Sequence, residues 1–353
     1  MAQLVISNNS QLMVPNNKLE KIKNKLKFCS KEINGEISKF VKEKLETSPK
    51  LKEDVLYALG LTGLRERTFL MKTAAHICNQ DWVSLIPWAI SAELFITAAL
   101  TGDDIVDKTE YRSGAPTLWK KDNDPNRAWL VVETMHALAQ EAIGVGVKNL
   151  SPSAVSASLS LFQETYTIIY QFQYKESYYD IESLTLEKIN ELALGRTGKL
   201  LQACILFPVI VSEYKEFYQC LKDFGYWFGI AFQHRDDILD FYEDFINGQP
   251  NLVVYHAFCL TSSSPAKELI LKYFGKKGVE KENVIKVFQM IGSIEFAVKY
   301  VKDCCQKAKQ ALNKLPKNKD VVDLYAITDL IAESDFYVDF ATAPQKGSLG
   351  ALF

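Results

Sequence analysis

Trp82-Val83-Ser84-Leu85-Ile86-Pro87-Trp88-Ala89-Ile90-Ser91-Ala92-Glu93-Leu94-Phe95-Ile96-Thr97-Ala98-Ala99-Leu100-Thr101-Gly102 runs without a break into Asp103-Asp104-Ile105-Val106-Asp107. The stretch is apolar on every side of a helix, and such a helix belongs at the centre of a large α-protein. A lipid-facing span is the competing reading, but Pro87, Glu93 and the aspartates at the end count against it. The acidic end has a second copy about 130 residues on, Asp236-Asp237-Ile238-Leu239-Asp240, again inside an apolar stretch. In each copy the first and third aspartates are four residues apart and share a helix face. Buried carboxylates need compensating cations, and oxygen ligands of this kind suit Mg²⁺. Two facing clusters would hold a metal-bound polyphosphate between them and neutralise charge developing on it. One copy alone reads equally well as a solvated acidic face.

The rest of the chain agrees with a helical fold. It has 353 residues, of which 48% are hydrophobic and 24% charged, with only 17 glycines and 11 prolines. A net charge of −2 leaves no basic field for nucleic acid or an anionic membrane. Seven cysteines (Cys29, Cys78, Cys204, Cys220, Cys259, Cys304, Cys305) have no metal-ligand spacing and read as small buried hydrophobes in a reducing cytoplasm. The N-terminal residues show no secretory pattern. Helical spacing recurs from Lys18 to Val321–Glu333, no alternating strand pattern is present, and no linker divides the chain. The expected architecture is a single all-α bundle with a central cavity, comprising a mobile arm (1–18), one domain (19–340) and a tail (341–353).

Around the aspartates lie Tyr111-Arg112-Ser113-Gly114-Ala115-Pro116-Thr117-Leu118, Gln173 with Glu176, Arg196-Thr197-Gly198, and Phe232-Gln233 ahead of the second cluster. In order and spacing the chain resembles the trans-type isoprenyl diphosphate synthases, with which the class I terpene synthases share an α-fold. The resemblance implies the isoprenoid synthase fold, a homodimer, and Mg²⁺-dependent ionisation of an allylic prenyl diphosphate, with three ions around the bound diphosphate. It implies that Asp103, Asp104, Asp107, Asp236, Asp237 and Asp240 serve the metals. Arg112 and Arg196 would hold the diphosphate by charge-assisted hydrogen bonds. Thr197, Gln173, Phe232 and Gln233 would line the allylic site. Ala98 and Ala99, small residues just before the first cluster, would leave room for a C15–C20 or longer tail.

The chain also departs from the family pattern where isopentenyl diphosphate would sit. The loop Thr62-Gly63-Leu64-Arg65-Glu66-Arg67-Thr68 has Leu64 at the lysine position and keeps Arg67. Ile96 stands for a histidine, Ser113 for a second arginine, and Gln249 for a later lysine. Each lost charged hydrogen bond weakens a polyanion site by about 1.5–3 kcal/mol. From this selective loss the leading expectation is internal capture of the cation, as in a class I terpene synthase. Elongation through a divergent acceptor site, using Arg65, Arg67 and Lys199, and transfer to a non-isoprenoid acceptor such as a peptide remain as alternatives. His76 and His136 read as packing or surface residues, whereas Arg235 reads as a diphosphate or cluster contact or a surface ion pair.

Overall fold

The computed structural model describes residues 16–333 except 177, 178, 180, 260–264 and 277. Its helices run, in order, α1 (Asn16–Lys44), α2 (Pro49–Gly60), α3 (Glu66–Ile77) and α4 (Trp82–Val106). A minimal hairpin of β1 (Tyr111–Arg112) and β2 (Ala115–Pro116) leads to α5 (Leu118–Asp122), α6 (Pro125–Gly146) and α7 (Pro152–Glu176). Then come α8 (Leu186–Ala193), α9 (Lys199–Ile210), α10 (Tyr218–Leu239), α11 (Phe241–Asn247) and α12 (Leu252–Cys259). The last four are α13 (Pro265–Tyr273), α14 (Lys281–Met290), α15 (Ser293–Ala311) and α16 (Lys319–Ala332). The expected arm overlaps the start of α1, and the tail lies outside the described residues.

The all-α expectation holds. Helix α4 is the central one: from Trp88 to Ala99 every residue is buried, and it packs along α6 with Val131, Met135 and Leu138. Two helical stretches, Trp82–Val106 and Leu186–Ile210, are long and apolar enough to cross a membrane, but 72% and 78% of their apolar windows are buried inside the fold. A second core forms where α10 packs on α9 and α15 around Phe224, Phe228, Leu201 and Val301. The C-terminal ends of α4 and α10 thereby bring their aspartates to opposite walls of one cavity.

Two local devices aim side chains into that cavity. The hairpin turn puts Ser113 (φ 51°) and Gly114 (φ 80°) in the left-handed region, the geometry of a tight two-residue β-turn. It folds Arg112 back beneath α4. The expected continuous helix through Gly195–Gly198 is interrupted by a π-helical turn, Leu194–Gly198, between α8 and α9. Gly198 and Gly229 meet so closely that a Cβ built on Gly229 would lie 2.6 Å from the Gly198 Cα. Only glycine permits this approach, which seats the π turn and Arg196 against α10.

Candidate active site

A cavity of about 760 Å³ opens between the ends of α4 and α10. Its wall holds Asp103 and Asp107 from α4, Asp236, Asp237 and Asp240 from α10, and Arg112, Gln173, Arg196, Thr197, Phe232, Gln233 and Arg67. These sequence-selected residues therefore share one space. Three do not line it. Asp104 points away, and Ala98 and Ala99 are enclosed in the α4–α6 core at 0% and 2% exposure.

The three aspartates of the first cluster stand in different situations. Arg112 takes Asp104: Nε donates to both carboxylate oxygens at 3.1 and 3.0 Å, and Nη2 donates to Oδ1 at 2.7 Å. Asp103 and Asp107 remain toward the cavity, and Gln249 Nε2 reaches across to donate to Asp107 Oδ2 at 2.9 Å. In the second cluster Asp236 accepts from Arg235 Nη1 at 2.8 Å, and Asp237 accepts from Gln233 Nε2 at 2.8 Å. Arg196 Nη1 stands 3.8 Å from Asp237 Oδ1. Arg235 is fully enclosed beside Asp236, so the surface ion pair allowed for it is replaced by a buried one.

Burial sets the electrostatics. It raises the carboxyls of Asp103 and Asp104 against the lowering effect of Arg112. Burial and neighbouring like charge push Asp107 and Asp236 up to about 6 and Asp240 up to about 7. Carboxylates in this state resist ionisation until cations enter. Among the described residues no three acidic, histidine or cysteine side chains converge tightly enough to hold a metal ion unaided. Mg²⁺ takes one or two protein carboxylates and completes its octahedron with water and phosphate oxygens.

The structure adds residues that the sequence reading passed over. Asp244, one turn beyond Asp240 on α11, is buried in the same wall, raised by burial and the Asp237 charge, and accepts from Asn251 Nδ2 at 3.1 Å. The i+4 step from Asp236 through Asp240 to Asp244 was its available signal. Glu66 also lines the cavity, and burial raises it too.

The same loop explains the acceptor side. Arg65, left-handed at φ 61°, is buried and engaged by the fold. Nε donates to Asn34 Oδ1 at 2.9 Å, Nη1 to Thr62 Oγ1 at 2.7 Å and Glu93 Oε2 at 3.3 Å, and Nη2 to the Leu59 carbonyl at 2.8 Å. Ser113 Oγ donates to the Leu61 carbonyl at 2.9 Å. Both arginines line the cavity, but Arg67 differs in that its Nε is buried with no hydrogen-bond partner.

A family model described as Polyprenyl synthetase matches residues 48–291. The chain is 24% identical over 299 residues to the geranylgeranyl diphosphate synthase of Saccharolobus solfataricus, covering 80% of this chain and 89% of that one. The solved geranylgeranyl pyrophosphate synthetase of Pyrococcus horikoshii superposes with a TM-score of 0.80 at 28% identity, covering 90% of this chain and 99% of that one. The geranylgeranyl pyrophosphate synthase of Corynebacterium glutamicum, solved with isoprenyl diphosphate and magnesium, shares the fold with a TM-score of 0.78 at 18% identity, covering 87% and 99% of the two chains. These relatives make prenyl diphosphates, and that overturns the leading expectation of internal cation capture to a terpene. Leu64, Ile96 and Ser113 bring no charge, but Arg67 keeps a cation with an unsatisfied donor on the cavity wall.

Proposed function

The chain belongs to the polyprenyl synthetase family, and from that premise we propose that it is a trans-prenyltransferase that lengthens an allylic diphosphate with isopentenyl diphosphate. The observation that carries this reading is the pair of aspartate walls facing each other across one cavity, with Arg112, Arg196 and Arg67 on its rim. Asp103 and Asp107 from one side, and Asp236 and Asp240 from the other, would hold three Mg²⁺ ions through one or two carboxylates each. Bound there, the metal supplies Lewis-acid neutralisation of the departing diphosphate.

The protein's own groups do the rest. Arg112, braced by Asp104, and Arg196, seated by the π turn, donate to the allylic diphosphate. Gln173, Thr197 and Gln233 line the space where the allylic cation develops, presenting dipoles rather than a nucleophile strong enough to trap it. Phe232 covers that space with an aromatic face, which stabilises positive charge. Arg67 binds the diphosphate of the isopentenyl acceptor, whose double bond attacks the cation to form the new C–C bond; the tertiary cation so formed loses a proton from the adjacent carbon to the departed diphosphate, which restores an allylic double bond. Leu64, Ile96 and Ser113 add no charge to that second site, so the acceptor should bind weakly.

Incubation of the purified chain with Mg²⁺, isopentenyl diphosphate and geranyl, farnesyl or geranylgeranyl diphosphate tests the reading. Longer prenyl diphosphates should form only when isopentenyl diphosphate is present. Consumption of the allylic substrate at the same rate without it would refute the proposal.

A further inference from the structure

We propose that His234, held in place by Asn190 and Tyr300, is a positioning residue that fixes the Asp237 carboxylate at the cavity wall; this rests on the reading of the site given above. Asp237 is 4% exposed, yet its carboxylate reaches the cavity lining. Two residues of its own helix reach forward to it. Gln233 Nε2 donates to Oδ1 at 2.8 Å, and His234 Nδ1 stands 3.3 Å from Oδ2. Both oxygens are thereby addressed from one side.

The histidine is anchored from outside its helix. Its ring is fully buried, and Nε2 stands 2.9 Å from Asn190 Oδ1 on α8. Asn190 Nδ2 in turn donates to the Tyr300 hydroxyl on α15 at 2.7 Å. The Tyr300 ring meets the imidazole edge-on at 5.8 Å between centroids. A line of polar contacts thus runs from the cavity wall through α10 to α8 and α15, inside a region otherwise filled by Phe224, Phe228 and Val301. The ring meets an acceptor oxygen on each side, so it donates to both only when both nitrogens carry hydrogen, and a buried polar line made this way fixes its members' orientation.

What the line controls is the distance between two opposite charges. Arg196 Nη1 is 3.8 Å from Asp237 Oδ1, longer than a hydrogen-bonded ion pair. With no restraint from His234, rotation about the Asp237 side chain would close that gap. Carboxylate and guanidinium would then neutralise each other rather than face a metal-bound diphosphate. Outer-sphere partners of this kind typically alter metal affinity or activity by about 10–100-fold.

The test uses the full chain and has a readout besides turnover: calorimetric binding of inorganic diphosphate in Mg²⁺. His234→Leu fills the volume without a donor and should weaken binding about 10–100-fold, while raising KM for the allylic diphosphate more than it lowers kcat. His234→Asn places an amide nitrogen near the Nδ1 position and should restore most of the affinity. Asn190→Leu should weaken binding in wild type and add little in His234→Leu, because its effect passes through the histidine. Thermal midpoints separate this from a packing defect. Wild-type affinity in His234→Leu, or equal losses in the Leu and Asn variants that follow their midpoints, overturns the inference alone. A wild-type chain that binds no Mg²⁺-diphosphate overturns the reading of the site and the inference with it.

Discussion

Arg112 grips both carboxylate oxygens of Asp104, with three donor distances between 2.7 and 3.1 Å. The middle aspartate of the first cluster is therefore a brace for Arg112, the arginine proposed to hold the diphosphate, while Asp103 and Asp107 face the cavity. The two kinds of aspartate should respond differently to substitution. Asp103→Ala and Asp236→Ala remove charge opposite the leaving group and should lower kcat by about 10²–10³-fold or more. Asp104→Asn should resemble Arg112→Ala, and the double variant should be no worse than Arg112→Ala alone. Additive losses in that double variant, from steady-state kinetics, would show that Asp104 works independently of Arg112.

The proposed acceptor site makes a prediction in the direction of gain. Leu64 is half-buried against the core, between Gly63 and Arg65 of the cavity wall, and a lysine there would add a cation near Arg67. A charged hydrogen bond contributes about 1.5–3 kcal/mol. Leu64→Lys should therefore lower KM for isopentenyl diphosphate by roughly tenfold or more, leaving KM for the allylic substrate unchanged. Equal shifts in both constants would show that Leu64 is not on the acceptor side.

Most of this arrangement could be read from the chain before its fold was seen. The apolar run before Asp103 marks a buried central helix because nothing else accommodates an all-round apolar surface ending in carboxylates. The same spacing logic places Asp107 and Asp240. It fails where the outcome depends on contacts between distant segments. Arg65 reads as a free cation in sequence, and only the convergence of Asn34, Leu59, Thr62 and Glu93 shows it to be structural. The π turn at Leu194–Gly198 leaves no periodicity signal in five residues; its cause is the close approach of Gly198 to Gly229 on another helix. Asp244 was within reach of pattern reading and was passed over because the motif ended at Asp240.

Arg65 and Glu93 form a buried pair, with side chains 3% and 1% exposed. Glu93 also accepts from Thr68 Oγ1 at 2.8 Å, tying the α3 entrance to α4. Removing one partner strands the other charge, which typically costs about 3–5 kcal/mol. Glu93→Ala should lower unfolding free energy by that amount in urea titrations. A loss under about 1 kcal/mol would mean that water reaches the arginine once the pair is broken.

Helices α6 and α7 leave Trp129, Leu130, Val145 and Tyr174 exposed. A homodimer, which the family resemblance implies, would need to cover apolar side chains of this kind. Leu130→Glu places a charge in that surface and should shift the chain toward monomer in light scattering at micromolar concentration. An unchanged mass from a chain that is dimeric in its wild-type form would move the interface elsewhere.

The raised carboxyl of Asp240 gives a stability signature with a definite sign. Unfolded, this group ionises near 3.8; folded, burial first and the Asp236 charge second push it up to about 7. Between those values the unfolded chain has released a proton that the folded chain retains, so rising pH favours unfolding. Asp240→Asn removes the penalty. In chelator-treated protein the variant should therefore gain stability over wild type as pH rises from about 4 to about 7, with a constant difference above that. Mg²⁺ with inorganic diphosphate should reverse the order at neutral pH, because only the aspartate attracts cations. Paired thermal melts across the range measure both effects. A difference that stays flat from acid to neutral pH would show that Asp240 is already ionised in the empty cavity.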